Sequence, residues 1–224
     1  MFRFRLLFFF LFFSLLSFSQ QNYFQLWIET GIKGKINKRI EYAFEWNNRF
    51  GNYNLETIFG QASIKYKFKK WIKPSVDYRY ISDRQDNSNY SSSHRLNFNL
   101  QFSQTKKRLD LGLRLRYQYS FKQLTIMTYE PEFDESFRIK PSISYDINNF
   151  PVTPQISTEF FYDPSNYELG NRFTKIRYSA SFALDIKGPH KVEFGYIFDQ
   201  RIQMAIPLNR HILNVSYAFQ INKN

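Results

Sequence analysis

Cysteine is absent from the 224-residue chain, which excludes disulfides, a thiolate metal site and a lipid anchor carried on an N-terminal cysteine. Histidine occurs only three times, at His94, His190 and His211, and no cluster of His with carboxylates stands at metal-ligand spacing. Glycine and proline number 8 each, too few for the densely turned loops of a soluble β-sandwich. No apolar run beyond residue 16 is long enough to cross a bilayer as a helix. Acids are also in the minority, 19 against 31 Lys and Arg, for a formal charge of +12.

What the chain does have is aromatics and alternation. Phe and Tyr number 26 and 16, and aromatics make up 20% of all residues. In Arg39-Ile40-Glu41-Tyr42-Ala43-Phe44-Glu45-Trp46 every even position is large and apolar, while the odd positions are charged or small. The stretch from Asp110 to Phe121 repeats the pattern in the other phase. A period of two puts alternate side chains on opposite faces of a strand. Because the charges lie within the strands, one face meets an apolar medium and the other meets water or ion pairs. Mean hydropathy is only −0.50, an average in which lipid-facing and lumen-facing residues of a barrel cancel.

Residues 1–19 read as a secretory signal peptide. Arg3 and Arg5 form a basic start, Leu6 to Leu16 is nearly all Leu and Phe, and Ser17-Phe18-Ser19 offers small residues before a cleavage at Gln20. The competing reading is an uncleaved anchor helix, for which the stretch is short. The mature domain is then residues 20–224, with a charge of +10 once Arg3 and Arg5 are removed. A basic exported chain with no nucleic-acid-binding module points to anionic lipid headgroups as its partner, not to nucleic acid.

Eleven segments read as strands, near 23–31, 39–50, 55–68, 71–83, 93–104, 109–121, 136–147, 152–163, 172–186, 191–201 and 210–221. Their lengths suit tilted bilayer crossings. Tight connections (Lys69-Lys70, Thr105 to Arg108, Asn148 to Phe150, Lys187 to His190) alternate with longer polar ones (Arg84 to Ser92, Lys122 to Glu135, Pro164 to Asn171, Ile202 to Asn209). Such alternation distinguishes periplasmic turns from external loops. Aromatics near strand ends, such as Tyr78 and Tyr80, Tyr117 and Tyr119, Tyr145 and Tyr217, predict two girdles. The expected fold is all-β: a single antiparallel transmembrane β-barrel. Single-chain bacterial barrels have even strand numbers, so about ten strands are expected, with 23–31 not completing a crossing, or else twelve.

Several stretches resemble a family of small Bacteroidetes outer-membrane proteins known as domain of unknown function 2490. They are Phe24-Gln25-Leu26-Trp27-Ile28-Glu29, Tyr66 to Ile72, Tyr78-Arg79-Tyr80-Ile81, Leu115-Arg116-Tyr117-Gln118, Phe160-Phe161-Tyr162-Asp163 and Val192 to Tyr196, together with the closing strand to Phe219. The resemblance implies an outer-membrane barrel in a Gram-negative bacterium and no activity. Many barrels end on an aromatic residue, whereas here Ile221 to Asn224 follows Phe219.

Catalysis in a small barrel would call for a His within reach of a Ser nucleophile. No His-x-Ser occurs, and Ser92-x-His94 is the nearest match. His94 and His211 fall in the lipid-facing phase and His190 in a turn, so a non-enzyme is expected, with no catalytic, cofactor or metal residues. Acidic loops at Asp83 and Asp86, and from Glu130 to Glu135, lack the spacing and glycine of a calcium site.

The inward phase carries the remaining chemistry. The residues expected to line the lumen are Arg39, Glu41, Glu45, Arg79, Arg95, Arg114, Arg116, Arg138, Lys140, Glu159, Arg177 and Glu193. Arg49, Lys65, Lys73, Asp77, Asp110, Lys175, Asp185 and Asp199 share their phase. Side chains can fill a barrel this small, and buried charges must be paired or hydrated. Two readings follow: a structural salt-bridge plug, or a narrow passive pore that prefers anions. A lipid-modifying hydrolase and a surface binder acting through Lys122 to Glu135 are the alternatives. The expected partners are outer-membrane lipid and lipopolysaccharide, and the barrel-assembly machinery during biogenesis.

Overall fold

The computed structural model describes residues 21–85, 89–122, 133–164, 172–186, 188–202 and 208–221. The expected signal segment, residues 1–19, and much of the connections 122–135, 164–171 and 202–209 lie outside the described residues.

Eleven strands form one closed barrel: β1 (Gln21–Lys35), β2 (Ile40–Gly51), β3 (Asn54–Tyr66), β4 (Ile72–Arg84), β5 (Tyr90–Lys106), β6 (Leu109–Lys122), β7 (Phe133–Tyr145), β8 (Val152–Asp163), β9 (Arg172–Asp185), β10 (His190–Arg201) and β11 (Leu208–Gln220). Each consecutive pair is antiparallel, and β1 closes the sheet against β11 in parallel. There are no helices among the described residues.

The strand count corrects the expectation of ten. The parity argument required 23–31 to stop short, yet β1 has 15 residues and is as long as its neighbours. With an odd number of strands, the last runs in the same direction as the first. Parallel pairing ordinarily needs a long crossover, but β1 and β11 are the two ends of the sheet and need no connection between them. Their register runs from Gln21 opposite Leu208 to Lys33 opposite Gln220 and leaves no free edge.

The alternation dictates the two faces. On β1 the even positions Phe24, Leu26, Ile28 and Ile32 are exposed on the outer surface, while Trp27 is buried in the lumen. Outward aromatics stack across strands, as in Phe98 with Tyr117 and Tyr178 with Phe198. The turns follow local chemistry. The Asn37 side-chain oxygen accepts bonds from the backbone N–H groups of Arg39 and Ile40, at 2.8 and 2.9 Å, and closes the β1–β2 turn. Gly188, at φ 92°, takes the left-handed position of the β9–β10 turn. The connections β1–β2, β3–β4, β5–β6, β7–β8 and β9–β10 are short and share one end of the barrel. The longest connections, β6–β7 and β8–β9, lie at the other end, where β4–β5 and β10–β11 are of intermediate length and β2 and β3 are joined by Asn52 and Tyr53 alone.

Candidate functional site

In the half of the lumen nearer the long loops, a layer of inward side chains packs together. Trp27 (β1), Phe59 (β3) and Phe161 (β8) point inward and are 6%, 3% and 5% exposed. Ile81 and Ile212 fill the same region and are buried. Cations stack on the three rings. The Arg49 guanidinium lies 3.9 Å from the Trp27 ring and 4.8 Å from Phe59. Arg79 lies 4.0 Å from Phe59. Arg138 and Lys175 lie 4.4 and 4.1 Å from Phe161, and Arg177 approaches both Trp27 and Phe161. Such contacts strengthen when desolvated.

Two carboxylates neutralise part of this layer. Asp199 accepts two bonds from Arg177, at 2.5 and 2.7 Å, and lies 3.5 Å from the Lys175 ammonium. Glu159 accepts from Arg114 at 2.8 Å and lies 4.0 Å from Arg138. Arg49 has no carboxylate and no hydrogen-bond acceptor among the described residues, and its Nε is buried without a partner. Among the described residues Arg79 bonds only to the Gln61 amide oxygen, at 2.9 and 2.6 Å. Register adds to the positive excess. Arg79 stands directly opposite Arg95, Arg116 opposite Arg138, and Arg114 opposite Lys140. Like charges in that relation repel.

Below the layer a chamber of about 450 Å³ opens at the short-turn end, where Lys35, Gln220 and Ile221 form part of its rim. Three carboxylates line it, and each is engaged. Glu41 pairs with Lys67 at 2.6 Å, Glu45 with Lys33 at 3.0 Å, and Asp77 with Arg116 at 3.1 Å. Asn99 also donates to Asp77, at 2.9 Å, and Gln61 donates to Glu45, at 3.0 Å. Lys65 lines the chamber without a salt bridge or hydrogen bond to any described residue.

Of the residues expected along the lumen, Glu41, Glu45, Arg79, Arg95, Arg114, Arg116, Arg138, Lys140, Glu159, Arg177 and Glu193 occupy the inward phase of their strands. Arg39 does not. It lies exposed in the β1–β2 turn, its guanidinium 3.4 Å from the Tyr66 hydroxyl, because β2 begins only at Ile40. Sequence reasoning missed the aromatic half of the layer by assigning aromatics to girdles. The signal was present: Trp27, Phe59 and Phe161 each share a phase with a charged or amide neighbour two residues away (Glu29, Gln61 and Glu159).

All three histidines sit on the outer face, each with Nδ1 against a tyrosine hydroxyl of the adjacent strand. The distances are 2.6 Å for His94 and Tyr78, 2.8 Å for His190 and Tyr217, and 2.6 Å for His211 and Tyr196. His190 is the first residue of β10, not a turn residue as expected. The Ser92 hydroxyl is bonded by Tyr80 at 2.8 Å, not by His94. Among the described residues no three His, Asp or Glu side chains gather as a metal site. Asp83 accepts a bond from the Thr57 hydroxyl at 2.7 Å, while Asp86, Glu130 and Glu132 lie outside the described residues.

The chain matches the model of a family described as protein of unknown function (DUF2490) over residues 24–207. No curated protein sequence matches it. Among solved structures, "NanC porin structure in rhombohedral crystal form" aligns with a TM-score of 0.50 and 13% identity, covering 78% of this chain and 85% of that one. That likeness is one of fold: a porin-like closed barrel. Over most of its length, through the strands that carry both the lumenal charges and the outward aromatics, this chain belongs to the DUF2490 family.

Proposed function

We propose that the chain is an outer-membrane barrel, exported on residues 1–19 and inserted by the barrel-assembly machinery, that acts without catalysis as a narrow passive conduit preferring small anions. The exposed apolar belt, the closed sheet and the porin-like fold support the location. Lipid and lipopolysaccharide are then the molecules against its outer face.

The cation–aromatic layer is the observation that carries the conduit reading. Five cations, Arg49, Arg79, Arg138, Lys175 and Arg177, stack on three rings. Among the described residues only Asp199 and Glu159 form salt bridges with them. The obstruction consists of side chains, which change rotamer on the ps–ns scale when exposed and more slowly when packed. A ring of uncompensated positive charge rejects cations and lowers the barrier for anions. Flux through the layer then depends on side-chain movement.

Conductance of residues 20–224 in a planar lipid bilayer tests this reading. The expected record is small, infrequent, anion-selective steps that become larger and longer when Phe161→Ala opens the layer. Verified insertion with a silent bilayer for both proteins would overturn the conduit and leave a structural plug. Cation selectivity in the variant would overturn the anion preference.

A further inference from the structure

We infer that the chamber at the short-turn end is a binding site for a small oxyanion, a carboxylate or phosphate, with Lys65 as its principal charge. The inference builds on the layer described above, which lies at the inner end of the chamber. Its volume of about 450 Å³ lies in the range of small-molecule sites.

The argument rests on charge left over after pairing. Each of the three lining carboxylates already holds a cation. Of the lining cations, Arg116 is matched by Asp77, Lys33 by Glu45, and Arg114 by Glu159, a carboxylate also approached by Arg138. The buried Nε of Arg114 has no partner. Lys65 stands opposite Glu41 in register, but Glu41 is taken by Lys67 at 2.6 Å. On β4, Lys73 faces inward two residues from Ser75, the register partner of Lys65, and makes no salt bridge with a described residue. Lys65 therefore lines one wall with Lys73 nearby, and neither forms a salt bridge with a described carboxylate. A half-buried cation without a partner favours an anion from solution, and an ammonium serves oxyanions as a point charge. The neutral groups fit the same ligand class. The Gln101 and Ser63 side chains line the chamber and can bond to hydroxyl or carboxylate oxygens.

Phosphorus NMR of inorganic phosphate titrated into the full chain, refolded in detergent micelles, tests the site directly. Saturable one-to-one binding is expected. Removing a charge-assisted hydrogen bond with Lys65→Gln weakens it by about tenfold or more. Lys65→Arg keeps most of the affinity. Glu45→Gln releases Lys33 and tightens binding, the opposite sign to a general loss of fold. Binding that never saturates, or an affinity unchanged in Lys65→Gln, would overturn the inference. Micellar binding does not require conduction, so a silent bilayer leaves this result standing, and a conducting barrel without phosphate binding sinks the site alone.

Discussion

Arg49 carries its charge into the layer and, among the described residues, stacks on the faces of Trp27 and Phe59 without a salt bridge or hydrogen-bond acceptor. Desolvating an unpaired ion costs several kcal/mol, and each desolvated cation–π contact returns about 2 kcal/mol. The two contacts do not cover that cost. Methionine preserves the length and contact with both rings without the charge. Arg49→Met is therefore expected to stabilise the barrel by about 1 kcal/mol or more, measured as a raised unfolding midpoint in detergent. Glu159 is the converse case. It is 2% exposed, and its carboxylate serves both Arg114 and Arg138. Glu159→Gln strands both guanidinium groups and is expected to cost about 3–5 kcal/mol, seen as a lowered midpoint in the same assay. An unchanged midpoint would mean that water already screens the pair. At this scale the inward charges were legible from phase alone. Their pairing was not, because it depends on which strands face each other across the lumen. Arg114 reaches Glu159 over 45 residues of chain.

Pro141 interrupts an otherwise regular element. The β7–β8 register holds from Phe137 opposite Tyr162 to Ile139 opposite Phe160, then resumes at Ser142 opposite Ser157. Lys140 and Pro141 have no ladder partner on β8, although the register is the same on both sides of the gap. Proline has no N–H to donate, and sheets normally confine it to edges and bulges. On its other side Pro141 keeps its place opposite Leu113. Pro141→Val should complete the ladder and add about 1 kcal/mol of stability, with slower amide exchange at positions 140 and 158 and a protected new amide at 141 as the specific readout. Exchange unchanged at those amides would mean that the gap has another cause. At the element scale the sequence was most readable. Period-two alternation located all eleven strands within a few residues of their observed limits, because inside and outside differ so sharply in polarity. The limits themselves were less visible. β1 extends to Lys35 past Gly31 and Gly34, residues that weaken any strand pattern although the ladder to β2 continues through both.

The closure of the whole molecule cannot be deduced from any one element. Eleven segments were visible, but the even-number rule for bacterial barrels outweighed the count, and β1 was set aside. That rule reflects antiparallel closure, in which the first and last strands must run in opposite directions. Here they run in the same direction and pair over thirteen residues, Gln21 to Lys33 with Leu208 to Gln220. The physical requirement on a membrane barrel is that no edge remain unpaired, and a parallel seam meets it. The absence of native cysteine makes the seam easy to test. Ile28 and Val215 are register partners in the outward phase. Cysteines at both positions are expected to form a disulfide under mild oxidant, since neighbouring strands stand about 4.8 Å apart and a disulfide spans Cα separations of about 4.4–6.8 Å. Pairing Ile28→Cys with Tyr217→Cys instead moves the partner two residues along the strand, roughly 6.6 Å of extra displacement, and should cross-link poorly. Tyr217 is the partner of Thr30, so this control isolates register from mere proximity. A compact, reduction-sensitive gel species for the first pair and not the second would establish the parallel seam. Efficient cross-linking of neither pair would place β1 elsewhere and restore an even-stranded barrel. The outcome also bears on the lumen. Trp27 enters the cation–aromatic layer from β1, so a barrel closed without that strand would lose the ring beneath Arg49 and Arg177.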